Sequence, residues 1–134
     1  MESCIFCKII KKDIPHFSVY EDEYCLAFLD IYPRVKGHTV VIPKIHVETI
    51  EGADAQTITT LFSGVQSAVQ KVTEVLQPDA YSIGWNNGEE AGQAVPHIHV
   101  HILPRWKGDG GGNMHTIINK PGSTSVKELA SLFT

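Results

Sequence analysis

His97-Ile98-His99-Val100-His101-Ile102, set between Pro96 and Leu103, is the stretch on which the reading of the whole chain turns. Apolar residues alternate there with imidazoles at a period of two, which predicts a strand over residues 96–103. Ile98, Val100 and Ile102 then share one face and pack into a core against a helix. His97, His99 and His101 share the other face, roughly 6–7 Å apart along the strand. One histidine alone is ordinary in a core, but three of the chain's seven on one strand face form a chemical arrangement. Two chemistries fit it. Neighbouring imidazoles can share a divalent metal ion. Alternatively, the central ring attacks an electrophile while its neighbours set its tautomer and handle protons.

The loop before this strand, residues 86–96, holds Asn86, Asn87, Gly88, Gly92 and Gln93. Such amides, with free backbone N–H groups, suit phosphate oxygens and favour phosphorus chemistry. Arg105 is a further candidate positive charge, although alone it reads as a surface residue. Working outward, residues 81–85 read as a strand. Ile58, Leu61, Phe62, Val65, Val69, Val72 and Leu76 recur at helical spacing, with Asp54 placed to cap the start and Pro78 just past the end. Residues 18–21 and 24–30 read as strands joined through Asp22 and Glu23, and residues 38–42 as a buried strand closed by Pro43. Residues 31–37 are loop. His38 opens its strand as a structural residue, and His16, His38 and His115 receive no functional role. Residues 5–11 read as a short helix or turn beside Cys4 and Cys7. Gly110-Gly111-Gly112 reads as mobile, and residues 125–133 as a short terminal helix. Strands joined by turns around one long helix predict an α+β fold with an antiparallel sheet.

The length of 134 residues fits a single domain, 1–134. A net charge of −4 argues against a broad nucleic-acid-binding surface. No apolar run is long enough to span a bilayer and no signal peptide is visible, so no membrane partner and a cytoplasmic location are expected. Three cysteines, an odd number, make a disulfide scaffold a poor reading. Cys4 and Cys7 have the C-x-x-C spacing of a metal or redox pair, and two plain buried thiols fit as well. Cys25 sits in an apolar strand and reads as core.

The segment Gly92-Gln93-Ala94-Val95-Pro96-His97-Ile98-His99-Val100-His101-Ile102-Leu103-Pro104-Arg105 resembles the motif of the histidine-triad (HIT) superfamily. The likeness continues through Cys4-Ile5-Phe6-Cys7, Ile14-Pro15, Tyr20-Glu21-Asp22-Glu23, Phe28-Leu29-Asp30-Ile31, Lys36-Gly37-His38, and Val41-Ile42-Pro43-Lys44 with His46. It covers about residues 3–110, leaving 111–134 as a C-terminal tail. Most of it is similar to the Hint branch, while Leu103-Pro104-Arg105 with Gly108-Asp109 is similar to the Fhit branch.

The resemblance implies a five-stranded antiparallel sheet and a homodimer whose sheets join. It implies a nucleotide hydrolase acting at the α-phosphate of purine nucleotides, with nucleoside phosphoramidates as the substrate class. His99 becomes the nucleophile that carries the nucleotidyl group, His101 the contact to phosphate or leaving group, and His97 the support, partly through its carbonyl. Asp30 falls where the family binds ribose hydroxyls. Ile5, Phe6, Phe28, Leu29 and Ile31 match the apolar walls around the base. Asn86 and Gln93 match polar residues near the phosphate. Ala94 departs from the serine common in the Hint branch, so that contact is missing or passes to a backbone N–H. Cys4, Cys7, His46 and His97 match a structural zinc site found in some bacterial members. Other functions remain open at this point: a dinucleoside polyphosphate hydrolase, a nucleotide-binding or scaffold protein with little turnover, and a hydrolase with zinc on all three triad histidines.

Overall fold

The segments read as strands become five strands in the structure, a computed structural model that describes residues 3–134. These are β1 (Ser18–Glu21), β2 (Cys25–Leu29), β3 (Thr39–Pro43), β4 (Ala80–Gly84) and β5 (Val100–Arg105). They form one sheet in the order β1-β2-β3-β5-β4, and every neighbouring pair is antiparallel. The long helix α2 (Ala55–Leu76) lies on one face. The short helix α1 (Ile5–Ile10) lies on the other.

Strands β2 and β3 are covered on both faces, which is why their sequences read as nearly continuous apolar runs. Cys25, Ala27 and Val41 meet Leu61, Val65 and Ala68 of α2, together with Ile98, Val100 and Ile102. Leu26, Phe28, Val40 and Ile42 pack on the opposite side with Ile9, Phe6 and Ile10. The apolar face of the histidine segment therefore enters the α2 core, as the alternation predicts.

Helix α2 begins where the Asp54 carboxylate accepts the Thr57 N–H at 2.7 Å. It ends at Gln77, whose φ of 52° lies in the left-handed region, with Pro78 next. Its most buried face is narrower and made of smaller residues than the predicted stripe. Thr57, Leu61, Gly64, Val65, Ala68 and Val72 are buried, while Ile58, Phe62, Val69 and Leu76 flank them half-buried. The helix sits so close to β2 that a Cβ at Gly64 would overlap Cys25 Sγ.

Two expectations are corrected. The strand predicted over 96–103 runs over Val100–Arg105. Residues 97–99 are drawn off the ladder because the Ile98 N–H donates to the Val47 carbonyl at 2.7 Å, in the loop that follows β3. Pro104 is accommodated where pairing with β3 has already ended at Ile102 and β4 is the single neighbour. The Gly110-Gly111-Gly112 tract, expected to be free, is held by Arg105 and Asp109: Arg105 Nη1 donates to the Gly112 carbonyl at 2.7 Å, and the Gly111 N–H donates to Asp109 at 2.9 Å.

Beyond this tract every residue is exposed, including those of the terminal helix α3 (Val126–Ala130). Among the described residues no helix is long and apolar enough to cross a membrane.

Candidate functional site

The histidine segment meets α1 and the ends of β2 and β3 on the sheet face opposite α2. His97 is fully buried, and its Nε2 lies 2.9 Å from the Pro43 carbonyl. A carbonyl only accepts, so Nε2 carries the proton and Nδ1 is left with its lone pair. That lone pair points to Cys4 Sγ at 3.5 Å and Cys7 Sγ at 3.7 Å. His46 Nδ1 lies 3.3 Å from Cys7 Sγ. One ligand atom from each of Cys4, Cys7, His46 and His97 falls within 4.8 Å of the other three. All three cysteines are free thiols. Burial pushes the His97 ring down to about 4, so the ring is neutral at ordinary pH. Two soft thiols with two neutral imidazoles, one already in the tautomer that frees Nδ1, form the donor set that suits tetrahedral zinc.

His99 has its Nδ1 2.8 Å from the carbonyl of His97. The same reasoning puts the proton on Nδ1 and a lone pair on Nε2. Burial lowers the affinity of this ring for a second proton, opposed by the bond it donates to the His97 carbonyl and by the charge of Asp30. The residue is 9% exposed, with the Phe6 ring edge-on at 5.0 Å and the His101 ring at 5.1 Å. The result is a neutral imidazole, fixed in one tautomer and held by its own backbone two residues away.

His101 is held from below by a residue to which the sequence reading gave no role. His38, almost fully buried, has its Nε2 2.9 Å from His101 Nδ1. The two rings lie 5.1 Å apart. The other nitrogen of His38, Nδ1, accepts the Arg34 N–H at 3.1 Å, and Asp30 Oδ2 lies 3.6 Å from Nε2. Nothing in the spacing of residues 38 and 101 signals this contact. It follows from the register in which Val40 pairs with His101. Burial lowers both rings, His101 to about 4.

The residues expected around a nucleotide are distributed as follows. Phe6 stands edge-on to Phe28 at 5.9 Å, and His16, also unassigned from sequence, stands edge-on to Phe28 at 6.1 Å between ring centres. Ile5 and Ile31 are exposed beside them and Leu29 partly so. Asp30 has one oxygen committed to the Tyr32 N–H at 2.8 Å. Asn86 and Ala94 are exposed on the β4–β5 loop. Ala94 also edges a shallow depression of about 300 Å³ with Cys4, Ile5 and His46.

The Gln93 side chain is hydrogen-bonded within its own surroundings. Its two amide hydrogens go to the carbonyls of Glu48 and Val95, and its oxygen accepts the Gly88 N–H. It braces the loop. Asn87 does similar work, accepting from Ile50 and Trp85 and donating to Glu51. Arg105 is likewise occupied, by Asp109 through two bonds of 2.7 and 2.9 Å and by Ser82 and Gly112. A metal shared by all three triad rings does not fit, because His97 Nδ1 faces the cysteines while the Nδ1 atoms of His99 and His101 are engaged in hydrogen bonds.

Known proteins are similar to this chain in sequence and fold. The "Protein hit" of Bacillus subtilis is 48% identical, with 97% of each chain covered. The adenosine 5'-monophosphoramidase hnt1 of Schizosaccharomyces pombe is 43% identical over 77% of this chain and 74% of its own. A zinc-bound histidine triad family protein from Mycobacterium smegmatis superposes with a TM-score of 0.77 at 39% identity, covering 81% of this chain and 79% of that one. The model of the HIT domain matches residues 11–108. With three imidazoles at the start of β5 and the five-stranded sheet behind them, the chain belongs to the HIT domain family.

Proposed function

We propose that this protein hydrolyses nucleoside phosphoramidates, releasing the amine and a purine nucleoside monophosphate through a nucleotidyl intermediate on His99. The observation that carries the reading is the 2.8 Å bond from His99 Nδ1–H to the His97 carbonyl, which leaves Nε2 as an unprotonated nucleophile. In the first step the Nε2 lone pair forms a bond to the α-phosphorus. The P–N bond of the substrate breaks, and its electron pair leaves with the nitrogen, which takes a proton from solvent and departs as the amine. Water then attacks phosphorus, the P–His99 bond returns its pair to Nε2, and the surplus proton passes to solvent. His101 donates a hydrogen bond to the phosphoryl group. Phe6, Phe28, Ile5 and Ile31 supply the apolar walls for the base, and Asp30 accepts from ribose hydroxyls. The relationship to a named adenosine 5'-monophosphoramidase supports this substrate class over dinucleoside polyphosphates.

In the same proposal Cys4, Cys7, His46 and His97 hold a structural zinc ion. When bound, it clamps the N-terminal segment to the sheet and fixes His97, whose carbonyl aims His99. A second copy of the chain completes the molecule. Support for the dimer comes from β4, an open edge of the sheet, and from the exposed apolar residues Met114, Ile117, Ile118, Leu132 and Phe133 in the tail.

The test is to incubate the protein with an adenosine phosphoramidate labelled in the nucleotide, quench in acid-free denaturant and map the label. Label on His99, with turnover abolished by His99→Ala while nucleotide binding persists, is the expected result. Turnover undiminished in His99→Ala would end the covalent mechanism.

A further inference from the structure

We infer that His38 is a positioning residue that locks His101 as a neutral hydrogen-bond donor through Nε2 and denies it the imidazolium form. The inference deepens the proposed hydrolase reading. It rests on a chain of three groups whose donors and acceptors can be assigned without ambiguity. The Arg34 backbone N–H can only donate, so His38 Nδ1, at 3.1 Å, accepts. A neutral His38 therefore carries its proton on Nε2. That nitrogen is 2.9 Å from His101 Nδ1, hydrogen-bonding distance, and 3.6 Å from Asp30 Oδ2, beyond it. His38 consequently donates to His101, and His101 Nδ1 must be the acceptor. The proton of a neutral His101 is left on Nε2, pointing away from His38.

The same chain makes protonation of His101 costly. An imidazolium at His101 would place N–H groups face to face across 2.9 Å. Relieving that would require His38 to move its proton to Nδ1, where it would meet the Arg34 N–H. Asp30, His38 and His101 also bring their ligand atoms within 4.8 Å of one another. The hydrogen bond already uses both facing nitrogens, so the cluster reads as a proton-ordering device. Its anchor is the loop between β2 and β3, where the Asp30 N–H donates to the His38 carbonyl and the His38 N–H to the Val35 carbonyl. The loop implied in ribose binding thus holds the ring that sets the phosphate-facing donor. His101 acts in the reaction as a fixed donor, and the proton that completes the amine comes from solvent.

Long-range nitrogen–proton NMR of ring-labelled wild-type protein reads the tautomers directly, without substrate. The expected result is His101 protonated on Nε2 and bare on Nδ1, with His38 in the same tautomer. His101 protonated on Nδ1 would overturn the inference, whatever the fate of the hydrolase reading. Kinetics supply the second arm. His38→Ala should lower kcat on an adenosine phosphoramidate by about 10- to 100-fold, the loss expected for one buried hydrogen bond, with little change in KM. His38→Gln, whose amide can accept from Arg34 and donate to His101, should recover most of that loss and keep the His101 tautomer. A folded His38→Ala protein with wild-type kcat and an unchanged His101 tautomer would overturn the inference. Absence of turnover in the wild type would count against the hydrolase reading alone, since the tautomer measurement still decides this one.

Discussion

At the scale of single residues the site is governed by which nitrogen of each imidazole holds the proton. His97, His99 and His101 alternate in sequence, yet their environments assign them three different partners: the Pro43 carbonyl, the His97 carbonyl and the His38 ring. The triad pattern marked the first three histidines as functional. It gave no hint of His38, because a residue 63 positions away is brought to His101 by strand register. The buried neutral rings predict a pH dependence of stability. His101 titrates at about 4 in the folded chain because burial and then the neighbouring His99 and His38 disfavour its charge. An unfolded histidine titrates near 6.5, so below that pH the unfolded chain binds the extra proton first. Stability is therefore full above about pH 6.5 and declines as the pH falls towards 4. Each such ring contributes a slope of at most about 1.4 kcal/mol per pH unit, reduced by solvent screening because His101 is only partly buried. Urea denaturation at stepped pH should show this decline, and His101→Asn should make it shallower. An identical slope in the variant would refute the assignment.

At the scale of elements, helix α2 shows where local pattern and packing part. Its start and end are legible from Asp54 and Pro78, and its apolar spacing from Leu61, Val65 and Val72. The centre of the buried face is not legible, because Gly64 and Ala68 carry little hydrophobic signal and are buried for their small size. Helix propensity favours alanine over glycine by about 1 kcal/mol, so Gly64→Ala looks stabilising on local grounds. The structure predicts the opposite. The added methyl would collide with Cys25 Sγ, which is fully buried. Net destabilisation of about 1–3 kcal/mol is expected from overpacking. The double variant Gly64→Ala with Cys25→Ala should regain part of it. Thermal unfolding of the single and double variants checks both statements. Strand β5 makes a similar point: alternation located the residues but not the boundary, since residues 97–99 are captured by the loop after β3.

At the scale of the whole molecule, two assemblies are expected to matter. The first joins α1, the β3 exit and the histidine segment through Cys4, Cys7, His46 and His97. Elemental analysis should find one zinc per chain. Chelation should lower Tm by about 10 °C or more, as expected for losing a ligand bound well above its Kd by the native state alone. Turnover should fall in step with unfolding, because these four residues would hold an ion at Nδ1 of His97, whereas the attacking atom of the proposed reaction is Nε2 of His99. Immediate loss of turnover in a chelated but folded protein would contradict the structural assignment. The second assembly involves the tail, where Val126 and Phe133 are 84% and 87% exposed. Apolar residues left so open call for a partner. Light scattering should give twice the 14.8 kDa chain mass, and truncation after Gly112 should shift the equilibrium towards monomer. A truncated protein that remains as tightly dimeric would locate the contact at the β4 edge alone.

The sequence alone determined roughly where the strands lie, the capped long helix and the chemical character of one strand face, because residue type, periodicity and capping are local properties of the chain. It also marked the C-x-x-C pair, and the family resemblance named His46 and His97 as the residues that complete it. Tertiary structure decided which atoms meet: the two thiols and two imidazoles gathered from three separate segments, the commitment of Gln93 and Arg105 to bracing loops, and the His38–His101 contact. Those outcomes depend on strand register and on which carbonyl captures each N–H, and both are set only when the sheet closes over its two helices.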